Sequence, residues 1–391
     1  MSALESSPPE IDLSLVSGSP LYHWLVKIGL LSANTSTIKI KIIACVLITW
    51  LPLVALCWWQ GMETGRHMLQ AFLANFQESI RFLLILPLLI LAQLQIRPWV
   101  THVVRYFIKS GIVPDEQLTA YARIITQTQR LRDSIWVEVI LLILALGSSV
   151  LGISVMPHRE DNNWRYAAGH ISMAGIWFRF VSMPYFRFFW FCWFWRMGLW
   201  WFMLFRISLL KLRLVPTHPD CRGGLGFLAS GHNNFSILAF ALSCHISAVL
   251  GEEILYKGHT LDDLKGTILL TIIIITSLGT LPLLVFTPKL IELKRLGLFQ
   301  YGILAKQYVD RYQRKWLPEE EDCVFEELVP RSEPDPKAQD HFKAVGNMQV
   351  TVFDKNAITT FAIAATIPFA PLLLTVYKFD QLLDQVLKKL L

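Results

Sequence analysis

Long, continuous apolar runs are the feature that most constrains this chain. Residues 267–286 read TILLTIIIITSLGTLPLLVF, twenty residues without a charged side chain. A hydrocarbon core about 30 Å thick needs roughly 20 helical residues to cross, and in lipid only a helix or a closed barrel satisfies its own backbone groups. The run does not alternate between apolar and polar residues, as a barrel strand does. The sequence therefore predicts membrane-spanning helices.

Seven windows of this kind occur in the 391 residues. They are 42–59, 80–96, 135–156, 177–205, 235–254, 267–286 and 358–377. Hydrophobic residues make up 53% of the chain and charged residues 17%, a balance that is wrong for a soluble domain. The second window is the shortest and contains Pro87, so a re-entrant segment is an alternative there, as it is for the seventh. We predict an all-α, polytopic bundle of about seven spans.

The basic residues in the connections predict the orientation. With seven spans, one side holds 24 Lys and Arg and the other holds nine, while three lie in the fourth span. This split places the N-terminus in the cytoplasm and the C-terminus outside, and it accounts for the net charge of +6 without a nucleic-acid partner. The compact loops are typical of a bacterial inner (plasma) membrane protein. The N-terminal residues lack the pattern of a cleaved secretory signal.

The chain divides into segments on the same basis. They are a cytoplasmic N-terminal segment at 1–41, a six-span bundle at 42–286 with a cytoplasmic amphipathic helix near 115–134, a cytoplasmic helical and acidic connection at 287–357, the seventh span at 358–377 and an amphipathic tail at 378–391. The cytoplasmic helices are expected either to pack into one small domain or to lie separately at the interface. The tail is expected to lie on the outer surface.

The fourth span combines sixteen aromatic residues in 177–205 with three arginines, two of which, Arg187 and Arg196, lie well inside it. A charge near the bilayer centre is costly and usually faces protein or water. Nine residues at about 100° each place the two arginines on opposite faces, so they do not form a voltage-sensing stripe. The aromatic side chains either form a binding surface for a flat or cationic ligand or only fill space around a lipid-facing or loosely packed helix.

Each arginine is therefore expected to have its own partner. By helical rise, Arg187 lies roughly 6 Å outward of the span centre, within reach of Glu252 or Glu253, and Arg196 lies roughly 7 to 8 Å inward, near Glu138. The alternative is an anion or lipid-headgroup site in a wet cavity. In the fifth span His245 lies among serines near the midplane, where polar side chains either line a pore or pack helices closely.

The connection between the fourth and fifth spans contains PTHPDCRGGLGF, the most motif-like part of the chain. Its candidate residues are His218, Asp220, Arg222, Gly223, Gly224 and His232. Glycines there can adopt positive φ or let backbone amides approach an anion. The alternatives are a structured turn, a phosphate or lipid-headgroup contact, and a metal or catalytic site. The spacing matches no standard zinc arrangement, so the sequence assigns no catalytic residue, metal or cofactor.

Three functions follow from these features. The first is an ion channel or transporter with a polar path along the fourth and fifth spans, acting on a small ion or solute. The second is a membrane-embedded enzyme that acts on a lipid or isoprenoid substrate through residues 216–232. The third is a receptor or scaffold that signals through the acidic 318–340 segment. The expected partners are the lipid bilayer, an anionic lipid or small solute, and further copies in a homo-oligomer.

Seven spans with the N-terminus inside, together with cytoplasmic extensions of the spans, resemble the layout of insect olfactory and gustatory receptor channels. The resemblance is one of topology and carries no residue of those receptors onto this chain. It implies an oligomer with the last span near the pore.

Overall fold

The computed structural model describes residues 36–151, 164–167, 170–316 and 338–375, and most of these residues are helical. The helices, numbered in chain order, are α1 Ser36–Thr49, α2 Leu51–Thr64, α3 Met68–Ala74, α4 Phe76–Lys109, α5 Leu118–Arg132, α6 Ile135–Leu151, α7 Met173–Trp177, α8 Met183–Ser208, α9 Gly226–His232, α10 Ser236–Lys257, α11 Leu261–Thr280, α12 Thr287–Trp316, α13 Ala338–Asn347 and α14 Lys355–Thr366. Two short strands, β1 Tyr166–Ala167 and β2 His170–Ile171, pair antiparallel before α7.

Five helical runs within the described residues are long and apolar enough to cross a membrane. They are Ile38–Thr64, Phe76–Lys109, Gly226–Lys257, Leu261–Gln313 and Lys355–Leu374. They contain the first, second, fifth and sixth predicted spans and most of the seventh. The helical membrane character of the chain is therefore as the sequence predicts, while the count of seven spans and the orientation stay predictions.

The other two predicted spans lie in helices of different character. The third overlaps the shorter apolar stretch Ile135–Ser149, and its last residues, 152–156, lie outside the described chain. The fourth lies in α7 and α8, which a π-helical turn at Phe178–Ser182 joins without a break. The tryptophans and arginines of α8 lower its mean hydropathy, because indole and guanidinium groups transfer poorly into hydrocarbon.

The core is built around α8. Trp193 and Trp200 are buried on it, and the indole N–H of Trp193 donates to the carbonyl of Leu89 on α4 over 3.0 Å. Trp99 of α4 packs against Trp200 with ring centroids 4.9 Å apart. A buried Trp usually finds a partner for its N–H, so the Leu89 carbonyl fixes α8 against α4. The aromatic bulk of α8 therefore fills the space between helices.

A layer of helices lies at the end of the bundle predicted to be cytoplasmic. α12 continues the sixth span and packs against α13, where Gly297 leaves room for Val345. Lys294 donates to the carbonyl of Met348 over 2.7 Å. α5 packs against α8, and Tyr121 on α5 donates to the carbonyl of Val104 on α4 over 2.9 Å.

The predicted segment boundaries stay predictions. Residues 1–35, most of the acidic 318–340 segment and the tail at 378–391 lie outside the described residues.

Candidate functional site

Three helices bring basic and aromatic side chains to one partly open cavity of about 220 Å³. It is lined by Arg81 of α4, by Met183, Phe186, Arg187, Trp190 and Phe194 of α8, and by Leu242 and His245 of α10. The α8 positions recur mostly every three or four residues, so they share one face of that helix. α4 and α10 belong to the five runs that are long enough to cross a membrane.

The polar groups that line this basic cavity are mostly hydrogen-bond donors. Arg81 and Arg187 carry guanidinium groups, which cannot accept a hydrogen bond, and the indole of Trp190 only donates. Among the described residues, the Nε atom of Arg81, the Nε1 atom of Trp190 and the Nδ1 atom of His245 are buried and have no partner. None of the eight lining residues is acidic. Two like charges and unpartnered donors make the basic cavity complementary to an anion.

Arg81 is positioned by a completely buried carboxylate. Glu78 lies three residues earlier on α4, and its Oε1 atom accepts from Arg81 Nη1 over 2.8 Å and from Arg165 Nη2 over 2.7 Å. Residues three apart on a helix lie side by side, so the pairing follows from the sequence spacing. The guanidinium of Arg165 also lies over the rings of Trp164 and Phe178, 5.1 and 4.8 Å from their centroids. Two arginines thus share one buried glutamate.

Gln77 extends this cluster to α10. In the amide orientation that satisfies both of its polar atoms, Gln77 donates to Glu252 and accepts from Arg81 Nη2 over 2.5 Å. Glu253 instead pairs with Lys257 and lies 3.6 Å from the Nε2 atom of His259. Glu252 therefore neighbours the basic cavity through Gln77, and Glu253 belongs to the end of α10.

Arg187 meets hydroxyl groups and not the glutamates that the sequence predicts. Its Nη1 atom lies 3.2 Å from the Oγ atom of Ser148 and 3.3 Å from that of Ser149, both on α6. These are neutral acceptors at long distances, so they balance little of the charge. The sequence prediction chose a partner for Arg187 only from the depth of this residue in the membrane. In the structure, α6 packs directly against this part of α8 and so supplies the contacts. The Arg187 charge is thus left for whatever fills the basic cavity.

The polar residues of α10 divide between the basic cavity and helix packing. The ring of His245 lies 5.6 Å from that of Phe186 in the lining. Ser247 faces the other way and donates to the carbonyl of Pro368 over 2.6 Å. Ser243 is completely buried, and its hydroxyl has no partner among the described residues. The polar residues of α10 therefore do not form a single stripe.

An apolar cleft adjoins the basic cavity and shares Trp190, Phe194 and Leu242 with it. Its other lining residues are Trp193, Met197, Phe235, Leu238, Ala239, Ile275, Leu278, Gly279 and Phe361. The cleft is narrow, with a volume of about 30 Å³. A cleft with such walls does not offer a path for water or ions.

Arg196 has a separate environment on another face of α8. Its guanidinium carbon lies over the ring of Trp193, 5.2 Å from the centroid, a distance typical of a cation–π contact. Glu138 of α6 lies near enough to interact with it electrostatically. Arg196 does not line the basic cavity.

The PTHPDCRGGLGF loop folds around Asp220. One oxygen of this carboxylate accepts from the backbone N–H groups of Arg222 and Gly224 over 2.8 and 3.1 Å, and the other accepts from Gly226 over 2.8 Å. The Nδ1 atom of His218 lies 2.8 Å from the first oxygen. Burial opposes ionisation of Asp220, but these backbone and histidine donors outweigh it and hold the pKa of the carboxyl below its usual value. The acid is therefore occupied within its own loop.

The loop is also fixed to the helices around it. Cys221, Gly223 and Gly224 have φ values of 53°, 66° and 97°, and Gly223 lies against Leu290 and Leu293 of α12. Two bonds join the loop to the chain before α14. Arg222 donates to the side chain of Gln349, and the Gln349 backbone N–H donates to the carbonyl of Cys221, both over 2.7 Å.

His232 does not join His218 and Asp220. It is buried among the rings of Trp99, Phe235 and Phe361, and its Nε2 atom contacts the carbonyl of Gly279. Within the described chain, no group of three or more His, Cys, Asp or Glu side chains is placed to hold a metal ion. The contacts within the loop are those of a structured turn, while the phosphate or lipid-headgroup contact stays a prediction.

Sequence reasoning did not select Arg81, Glu78 or Arg165 as site residues. The available signal was an acidic and a basic residue three apart, at the start of an otherwise apolar span. Such a pair is too common at helix ends to identify a site until the fold shows that Glu78 is fully buried.

No protein-family model, curated protein or solved structure matches this chain. Its function is therefore inferred from the geometry of the site.

Proposed function

We propose that the chain is an integral membrane transporter for an anionic solute, which binds in the basic cavity between α4, α8 and α10. The observation that carries the proposal is that every charged residue of the lining is an arginine, while Glu78 lies behind Arg81 and outside the lining. A cation between apolar helices is costly and usually marks a solute path or a ligand site. The protein would work in the inner (plasma) membrane as a homo-oligomer of seven-span subunits.

The surroundings of the basic cavity favour a transporter over an open channel. Conduction through a channel needs a continuous polar path. Beyond Trp190 and Leu242 the basic cavity adjoins the narrow apolar cleft instead. A solute bound at Arg187 would therefore leave only after the helices move, as in alternating access.

The loop around Asp220 gives less support to the enzymatic alternative. A catalytic carboxylate needs a free oxygen towards its substrate. Both oxygens of Asp220 accept from backbone N–H groups of the same loop. This arrangement favours a structural role for the turn, which holds α12 and the chain before α14 together.

Anion flux through reconstituted protein tests the proposal. Purified full-length protein would be placed in liposomes and the uptake of radiolabelled inorganic phosphate, chloride and acetate measured beside that of rubidium. We expect at least one anion to cross faster than in empty liposomes and rubidium not to do so. Arg187→Gln should lower that flux about tenfold or more, since losing one charge-assisted contact of about 1.5 kcal/mol is worth that factor.

The matched control is Arg206→Gln on the same helix, where the guanidinium lies over Phe202 and outside the basic cavity. Its flux should equal that of the wild type. The proposal fails if no anion crosses faster than in empty liposomes, or if both variants lose flux equally.

A further inference from the structure

We propose that the solute is a single-chain amphiphilic anion, with a phosphate or carboxylate head in the basic cavity and a linear hydrocarbon chain along the adjoining apolar cleft. This inference rests on the proposed function, because it names the class of solute that the protein carries. Its basis is that the two spaces are adjacent and share part of their walls. Trp190, Phe194 and Leu242 form part of both linings.

The basic cavity fits a head group by charge and by size. Its volume of about 220 Å³ is below the 300–1,000 Å³ typical of sites for whole drug-sized ligands. Arg81 and Arg187 supply the charges, and the unpartnered indole N–H of Trp190 supplies a neutral donor. Trp190 is 7% exposed, so its N–H is shielded from water. An oxyanion has enough acceptor sites for all three donors.

The cleft fits one chain better than a ring system or two chains. It is narrow, and apart from the indole N–H groups of Trp190 and Trp193 its side chains are hydrocarbon or thioether. Met197, Leu238 and Leu278 can change rotamer to admit a linear chain, and a thioether side chain adapts readily to irregular shapes. Phe361 and Gly279 also line the cleft and lie against each other. A free inorganic anion would use only the head-group cavity.

The distribution of charge separates this solute from a cationic amphiphile. An aromatic helix alone could bind an ammonium group through its ring faces. The two arginines of the lining would repel it, because like charges at short range disfavour one another. The acidic residues of the neighbourhood, Glu78 and Glu252, are engaged by Arg81, Arg165 and Gln77.

Binding to full-length protein in phosphatidylcholine nanodiscs tests the inference. Radiolabelled decyl phosphate would be bound and then competed with unlabelled decyl phosphate, inorganic phosphate and decyltrimethylammonium. We expect decyl phosphate to bind at least about tenfold more tightly than inorganic phosphate, because burial of two methylene groups is already worth that factor. Decyltrimethylammonium should not compete. Equal affinity for decyl phosphate and inorganic phosphate, or competition by the cation, would overturn the inference.

A substitution that affects only the cleft distinguishes binding of the hydrocarbon chain from binding of the head group. Leu278 lines the cleft but not the basic cavity. Leu278→Trp should lower decyl phosphate affinity about tenfold and so reduce the preference for decyl phosphate over inorganic phosphate. The matched control is Leu270→Trp on the same helix, a residue that is 57% exposed and lines neither space. If Leu278→Trp fails to fold, the comparison of the three ligands on the wild-type protein still tests the inference.

A final arm separates a free amphiphile from a bilayer phospholipid. Nanodiscs that contain phosphatidic acid carry the same head chemistry on two chains. If phosphatidic acid displaces decyl phosphate as well as unlabelled decyl phosphate does, the single-chain part of the inference is wrong.

The combined results distinguish failure of this inference from failure of the proposed function. If small anions cross the liposome membrane but decyl phosphate binds no more tightly than inorganic phosphate, the inference is wrong and the proposed transport function stands. If decyl phosphate binds but neither decyl phosphate nor any small anion crosses the liposome membrane, the proposed transport function is wrong and the binding inference stands.

Discussion

The Oε1 atom of Glu78 accepts a hydrogen bond from the Nη1 atom of Arg81 over 2.8 Å, although the glutamate side chain is completely buried. A buried carboxylate is stable only when paired, since removing it from water costs several kcal/mol. Here Arg165 shares the same oxygen. The pairing fixes the guanidinium of Arg81 at the edge of the basic cavity. Arg187 has only neutral hydrogen-bond partners among the described residues, although Glu78 lies near enough to interact with it electrostatically.

Replacing Glu78 with glutamine should destabilise the protein strongly. The amide keeps the size of the side chain but leaves two arginines without their buried counter-charge, a loss of about 3–5 kcal/mol. Thermal unfolding of detergent-solubilised protein, followed by tryptophan fluorescence, measures the effect. The control is Glu63→Gln, whose exposed side chain accepts from the indole of Trp59. An unchanged melting temperature for Glu78→Gln would show that the pair does not hold this end of the bundle together.

Replacing Gly231 with alanine should disrupt packing near the buried His232. A Cβ atom at Gly231 would overlap the indole of Trp99. That ring is held by Trp200 and Phe235, with centroids 4.9 and 5.6 Å away. Overpacking of this kind costs about 1–3 kcal/mol or more, so we expect a lower melting temperature and reduced yield of folded protein.

Gly198 of α8 provides the matched control for that substitution. A Cβ there would meet nothing within 4 Å. Gly198→Ala should leave stability unchanged or raise it by about 0.5–1 kcal/mol, because alanine loses less backbone freedom in a helix. Equal melting temperatures for the two alanine variants would contradict the close approach of Trp99.

The Asp220 turn should stabilise the protein in a pH-dependent way. Asp220→Asn replaces one acceptor oxygen by an amide that cannot accept from a backbone N–H, which costs about 1–3 kcal/mol. The folded pKa of Asp220 lies below the unfolded value. Its contribution is therefore fully present above an unfolded pKa of about 3.9 and is lost as the pH falls through the lower folded pKa.

Melting temperatures between pH 7 and pH 3 measure this dependence. The difference between the wild type and Asp220→Asn should stay constant down to about pH 4 and shrink below it. Asp262→Asn, whose carboxylate is exposed and pairs with Lys265 at the surface, should show a much smaller difference throughout. A difference for Asp220→Asn that grows as the pH falls would reverse the sign of the argument.

The sequence predicted helical, membrane-spanning character because apolar length alone decides it. It did not predict the partner of Arg187. The depth of a residue along an ideal span was used to select Glu252 or Glu253, but which neighbouring helix faces Arg187 depends on packing, and α6 presents Ser148 and Ser149 there. Depth is a one-dimensional coordinate and does not specify contacts around the helix axis.

The same limit explains the rest of the site. His245 and Arg187 were selected as unusual residues in apolar spans, and the structure places both in one cavity. Arg81 looked like an ordinary charge at the end of a span. Its role depends on Glu78, and the burial of Glu78 depends in turn on Arg165, 87 positions further along the chain. Contacts over such separations leave no periodic signal in a single sequence.

The orientation predicted from basic residues can be tested through Cys221. This thiol is half-exposed in the loop between α8 and α9, on the side predicted to be cytoplasmic. A membrane-impermeant maleimide should therefore label it in inverted vesicles and not in right-side-out vesicles.

The control depends on the other cysteines of the chain. Cys323 is predicted on the same side, so the experiment uses a Cys323→Ser background. Adding Cys221→Ser to that background should abolish labelling, because Cys45, Cys57 and Cys244 are buried and Cys192 lies inside the predicted fourth span, away from the aqueous reagent. Labelling in right-side-out vesicles instead would place the loop outside and reverse the predicted orientation.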